Sequence, residues 1–249
     1  MMIGKISKGT RMDQIYLPKN RSSLEVGSYV IIDKIDKNND LYLHNIDYIE
    51  PIKKEIINRI FNLIEDENVF VVGSFLEKGF NFNDLDLVIV GKAEGVKEFV
   101  NNNFGIKAHI MNLSYKEIQL GINTNPLFQS MFSKFIAKKR FIFNIENKII
   151  YKLMDLTLLE SQLMITNYEI SSGNEKYKLL RNLFAIKLFI ENKKLSLNSI
   201  NNEIEKYFYS GFLKDFRNNL VSMKDFRKKY ERLYESLFDK IMNEIKKQK

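Results

Sequence analysis

The stretch VFVVGSFLEKGFNFNDLDLVIVG, residues 69–91, decides how this chain reads. Four apolar residues run straight into Gly73-Ser74, and ten residues after that serine a second apolar run opens with Asp84 and Asp86. Aspartate is depleted in strands, so two of them at the head of one need a reason. Side chains on a strand alternate faces, which puts Asp84, Asp86, Val88 and Val90 on one side and Leu85, Leu87 and Ile89 on the other. A rise of about 3.3 Å per residue sets the two aspartates roughly 6–7 Å apart at Cα. Their carboxylates can then converge on one hard cation, and Mg²⁺ is commonly held by one or two carboxylates together with substrate phosphates. Without a cation the two charges repel. Gly73-Ser74 predicts a tight turn into a helix whose first N–H groups, with the serine hydroxyl beside them, would hold a phosphate. Glycine lets the backbone come close to that phosphate. Lys78, in the loop that follows, is a further candidate phosphate contact. Anion holder and metal holder on neighbouring strands would together grip a Mg²⁺–triphosphate.

Upstream, PIKKEIINRIFNLIED (51–66) spaces Ile52, Ile56, Ile60 and Leu63 as a helix, with Pro51 suited to its first turn. Downstream, AEGVKEFVNNN reads as a helix, IKAHIM as a third strand, and SYKEIQLGI and PLFQSMFSKFIAKK as two more helices. RFIFNI, near residue 145, reads as a closing strand. From about residue 148 every segment carries apolar residues at three- and four-residue spacing, and no proline follows Pro126. An antiparallel helical bundle is expected there. Phe184, Phe189, Tyr207 and Phe208 are expected in its core. Residues 3–48 alternate in short segments separated by turn residues, which predicts a small β-domain.

The 249 residues carry no cysteine and two histidines, His44 and His109. Disulfides, zinc–thiolate centres and a thiol nucleophile are excluded, and a multi-histidine metal site nearly so. The opening MMIGKISKGT has no apolar signal core, and no apolar run reaches the roughly 20 residues of a membrane span. A cytoplasmic protein without a membrane partner is expected. Net charge is +8, and the excess lies late: residues 130–200 hold 12 basic against 6 acidic side chains, whereas residues 51–129 hold 8 against 10. A basic region beside an acidic pocket suits a polyanion such as RNA or a nucleotide. A lysine-rich solvated surface gives the same composition.

The order apolar strand, Gly73-Ser74, loop with Gly79, then Asp84-Leu85-Asp86-Leu87 resembles the DNA polymerase β-like nucleotidyltransferase superfamily over residues 52–145. The resemblance implies transfer of a nucleoside monophosphate from an NTP to an acceptor, with release of pyrophosphate and help from Mg²⁺ or Mn²⁺. It implies that Gly73 and Ser74 meet the triphosphate and that Asp84 and Asp86 bind metal. The chain departs from the family at the third carboxylate. The strand IKAHIM carries no acid, and His109 falls at that place. A histidine there could take the acceptor's proton or ligate a metal. It could equally mark a structural residue in a chain that binds nucleotide or nucleic acid in a regulatory role without catalysis.

QIYLPKNRSSLEVGSYVIIDKI, with Ile15, Leu17-Pro18, Leu24, Gly27 and Val30, is similar to AbrB/SpoVT-type looped-hinge β-domains. That likeness implies a homodimer and DNA binding; a generic small barrel serves equally well. The bundle resembles the helical domains that follow minimal nucleotidyltransferase cores. A ribonuclease Arg-x4-His signature is absent, because Ile186 stands where the histidine after Arg181 would be. The expected fold class is α+β: a small N-terminal β-domain (1–50), a nucleotidyltransferase core with a mixed sheet and flanking helices (51–146), and a C-terminal helical bundle (147–249). Expected partners are an NTP and a nucleic-acid or protein acceptor.

Overall fold

A computed structural model describes residues 5–7, 10, 14–16, 41–64, 67–80 and 82–247. The chain divides into two compact units, Met1–Asn38 and Asn39–Lys249. In the first, strands β1 (Lys5–Ser7) and β2 (Gln14–Tyr16) pair antiparallel with Ile6 opposite Ile15. The remaining residues behind the looped-hinge likeness, Leu17-Pro18, Leu24, Gly27 and Val30, lie outside the described residues.

The second unit is α+β and is built on a mixed sheet of five strands, β3 (Tyr42–His44), β7 (Phe135–Ala137), β4 (Val69–Val72), β5 (Asp84–Val90) and β6 (Lys107–Leu113), in that spatial order. β5 and β6 run parallel, joined by helix α2 (Val96–Phe104) as a crossover. The other pairs are antiparallel. The alternation read from residues 85–90 holds. Leu85, Leu87 and Ile89 pack with α1 (Pro51–Leu63) and α2 on one face, and Val88 packs with α3 (Tyr115–Thr124) on the other. β4 is buried along its whole length, which is why VFVV shows no polar alternation.

Three local expectations change. The buried stripe of α1 is Lys53, Ile57, Ile60 and Phe61, while Ile52 and Leu63 face solvent. A lysine in the buried row disguised the true face. The closing strand is not RFIFNI: residues 140–150 have no regular structure, although Phe141 still reaches the core. The strand is Phe135–Ala137, because helix α4 (Pro126–Met131) ends early and FIA, buried at all three positions, slots between β3 and β4. Finally, Tyr42–His44, which the sequence grouped with the N-terminal β-domain, is the edge strand of this sheet.

Helices α5 (Tyr151–Thr166), α6 (Gly173–Ile190), α7 (Leu197–Tyr207), α8 (Phe212–Arg217) and α9 (Met223–Lys247) complete the same compact unit. α6 is their axis, with Leu180, Leu183, Phe184 and Phe189 fully buried. Ser172 and Glu175 form a capping box at its start, satisfying backbone donors that a helix otherwise leaves open. Gly173 is required there, since a Cβ would lie 1.9 Å from the Arg217 carbonyl oxygen. Phe208, Phe212, Phe216 and Phe226 stack in series at the α7–α9 end. No helix among the described residues is long and apolar enough to cross a membrane.

Candidate metal and nucleotide site

The site grows from the register of three strands. Val72, the last residue of β4, stands opposite Asp86 on β5, and Asp86 stands opposite His109 on β6. Because β5 and β6 run parallel, residues directly opposite each other in the ladder share a face, and so do residues two apart along either strand. Asp84, Asp86 and His109 therefore emerge together. His109 Nδ1 lies 3.4 Å from Asp84 Oδ2 and 3.5 Å from Asp86 Oδ1. One ligand atom from each of the three residues lies within 4.8 Å of the others, and they are the group of three such side chains among the described residues that could hold a metal ion.

Burial and the neighbouring charge of Asp84 push the Asp86 carboxyl above its ordinary range, against the opposing pull of His109. Burial is the larger cause and the second carboxylate the smaller, and both disfavour the ionised form.

Gly73 follows β4 with φ of +79°, in the left-handed region that favours glycine. An added Cβ would sit 2.3 Å from Asp86 Oδ2. The glycine thus leaves the space that the carboxylate fills. The expected helix after Gly73-Ser74 is a single 3-10 turn, Gly73–Leu76, closed by Glu77 N–H donating to the Ser74 carbonyl at 3.0 Å. Its brevity follows from its anchors, Phe75 and Leu76, which are buried and pin the chain back onto the core.

Beneath the loop lies Lys53, fully buried on α1. Its ammonium pairs with Glu50 at 3.2 Å, donates to the Glu77 carbonyl at 2.5 Å, and sits among the rings of Phe75, Phe80 and Phe82 at 5.5–5.6 Å. Glu50 in turn accepts the Gly79 N–H at 2.6 Å. These contacts tether the loop at Glu77 and Gly79.

A cleft of about 770 Å³ opens in front of Gly73, Ser74 and Asp86. Its far wall is the helical bundle, which contributes Arg181 from α6 and Lys194 from the α6–α7 turn; Lys134 lines the near side. Lys134 is engaged by Glu77 at 2.9 Å. Arg181 and Lys194 pair with no carboxylate among the described residues. Lys78, the basic residue chosen from the sequence, is exposed and does not line the cleft. The missed residues had a signal. Arg181 is a lone arginine in the apolar run of α6, and it drew attention only for a ribonuclease motif it does not complete.

The arrangement offers two carboxylates and an imidazole to a cation, and across a cleft large enough for a nucleotide two basic groups that pair with no carboxylate among the described residues. Comparison with protein-family models finds none that matches the chain, and comparison with curated proteins and with solved structures likewise finds no match.

Proposed function

We propose that the chain is a metal-dependent nucleotidyltransferase that moves a nucleoside monophosphate from an NTP to an acceptor hydroxyl. One observation carries this reading: Gly73, Asp86 and the pair Arg181 and Lys194 face one cleft, with Asp84 and His109 beside Asp86. On this reading the carboxylates would take the metal on one side of the cleft and the two cations would take phosphate on the other.

Asp84 and Asp86 would hold the divalent cation, and the donor set fits one, since two carboxylates with a facing imidazole are oxygen and nitrogen ligands that such cations accept. When bound, Mg²⁺ or Mn²⁺ neutralises phosphate oxygens and polarises the attacking group. Gly73 and Ser74 bring the backbone up to the triphosphate. Arg181 and Lys194 neutralise its outer phosphates and hold the leaving pyrophosphate. In the reaction the acceptor oxygen bonds to the α-phosphorus, the bridging bond to the β-phosphate breaks, pyrophosphate departs, and the acceptor's proton passes to solvent. The residues act by positioning and by charge.

A second reading, nucleotide binding without transfer, is favoured by His109 standing where a third carboxylate would serve as an additional metal ligand. Product formation separates the two. Calorimetric titration with each NTP, with and without Mg²⁺ or Mn²⁺, should show metal-dependent binding that vanishes in Asp84→Asn/Asp86→Asn. Incubation with α-labelled NTP and candidate acceptors should then label an acceptor. Binding without label under every condition selects the second reading. Absence of binding removes both.

A further inference from the structure

We propose that His109 is itself a metal ligand through Nδ1, and that it makes this centre selective for first-row transition cations over Mg²⁺. The inference rests on the reading of Asp84 and Asp86 as metal ligands and deepens it by naming the class of cation.

The first argument is spacing. A charge-assisted N–H···O bond between imidazole and carboxylate closes to about 2.7–2.9 Å. His109 Nδ1 stands 3.4 Å and 3.5 Å from the two carboxylate oxygens, nearly equidistant and too far for a short bond to either. Those separations suit donors around a shared atom. With bonds of about 2.1 Å, adjacent corners of an octahedron lie about 3 Å apart, so His109 Nδ1 is within a small shift of sharing one cation with either carboxylate oxygen.

The second argument is placement. In-register parallel pairing with Asp86, on the same face of the sheet, sends the imidazole towards the carboxylates, and the backbone of two seven-residue strands holds it there. His109 is half exposed, so packing does not impose that direction.

The third argument is donor chemistry. Mg²⁺ is hard, prefers oxygen and sheds water reluctantly. Imidazole nitrogen suits zinc, copper, iron and nickel, and affinities for divalent ions rise from manganese through cobalt to copper. Replacing a carboxylate by an imidazole keeps three protein donors, lowers the site's negative charge by one, and moves its preference from Mg²⁺ towards later first-row cations such as Co²⁺.

The test is titration of the full chain, without nucleotide, with Mg²⁺, Mn²⁺ and Co²⁺ by calorimetry, with Co²⁺ visible absorption as a direct report of nitrogen ligation. Co²⁺ should bind at least about tenfold tighter than Mg²⁺. His109→Ala should weaken Co²⁺ by about 10–100-fold, the range seen when a metal site loses a supporting group, and change the Co²⁺ spectrum, with Mg²⁺ affected far less. His109→Asp should restore Mg²⁺ binding at the expense of Co²⁺. Circular dichroism should show both variants folded, as expected for a half-exposed side chain. If Co²⁺ and Mg²⁺ bind equally, through Asp84 and Asp86, and His109→Ala changes neither affinity nor spectrum, the inference is overturned while the nucleotide reading stands. If no divalent cation binds and no NTP binds with one, both fall together.

Discussion

Gly73 and Asp86 occupy one volume: the hydrogen of the glycine faces the Asp86 carboxylate, and a methyl group in its place would lie 2.3 Å from Oδ2. Gly73 directly follows β4 and Asp86 lies on the adjacent β5, with Val72 paired to Asp86 in the ladder. The turn after β4 and the candidate metal-binding carboxylate therefore form a single packed unit.

Gly73→Ala tests that unit. The substitution strains a backbone at φ +79°, at about 1–2 kcal/mol for an L side chain in that region, and drives the carboxylate from its place. We expect a lower Tm and at least tenfold weaker metal-dependent NTP binding. Gly79→Ala is the control. It also has positive φ, but a Cβ there meets nothing within 4 Å, so it should lower Tm with little effect on metal affinity.

Asp86 itself should destabilise the metal-free fold at neutral pH. Its carboxyl is pushed above its ordinary 3.8 by burial first and by Asp84 second. A raised folded-state value means that the favourable contribution is present below the unfolded value and is lost as pH rises through the folded one. Metal-free Asp86→Asn should accordingly melt above wild type at pH 7, and the gap should close as pH falls through the raised Asp86 value towards 3.8. Thermal unfolding across pH 3–7 in the presence of chelator measures this. A gap that stays constant with pH would show that ionised Asp86 is not the source. Saturating divalent cation should invert the order at pH 7, since only the wild type keeps both carboxylates.

Much of this site was legible in the sequence, for a physical reason. Alternation along DLDLVIV puts Asp84 and Asp86 on one face, and alternation along IKAHIM puts His109 opposite in facing to Ala108 and Ile110; the register that sets His109 opposite Asp86 then brings all three together. What sequence could not convey is long-range. The far wall of the cleft comes from α6, 95 residues beyond Asp86 if counted to Arg181, and no local pattern announces that an arginine in an apolar helix will face an aspartate. β7 failed for a related cause. FIA has no turn residues at its borders, and only its burial between β3 and β4 makes it a strand. Lys53 broke the apolar stripe of α1 because its partners, Glu77 and three phenylalanines, lie in a loop more than 20 residues away.

Lys53 is expected to govern the order of that loop. Its ammonium is fully buried, and removing it leaves the Glu77 carbonyl and the Glu50 carboxylate without that donor. Lys53→Met keeps most of the side-chain volume and deletes the charge. We expect a Tm lower by several degrees and faster hydrogen exchange across residues 75–80, with exchange in β6 unchanged. Glu50→Gln should act in the same direction and more weakly, because the amide oxygen can still accept from Gly79. Uniform acceleration of exchange over the whole sheet would mean that Lys53 supports the core at large and not the loop.

Arg181 and Lys194 carry the prediction that bears most directly on nucleotide binding. Both line the cleft across from Asp86, and neither is paired with a carboxylate among the described residues. Lys187, nearly two turns along α6 from Arg181, is in the opposite condition: Glu191 at 3.1 Å and Glu203 at 2.6 Å already hold its ammonium. A hydrogen bond to a charged group contributes about 1.5–3 kcal/mol, which corresponds to roughly 10–150-fold in affinity. Arg181→Ala and Lys194→Ala should each weaken NTP binding within that range and weaken the corresponding nucleoside little, because the contact is to phosphate. Lys187→Ala should leave NTP affinity within about twofold while lowering Tm through the loss of its ion pairs. Equal weakening of NTP by all three variants would point to the general field of the basic bundle. Loss confined to Arg181 and Lys194, and graded from triphosphate through diphosphate to monophosphate, would locate the outer phosphates on this wall and orient the α-phosphate towards Asp84 and Asp86.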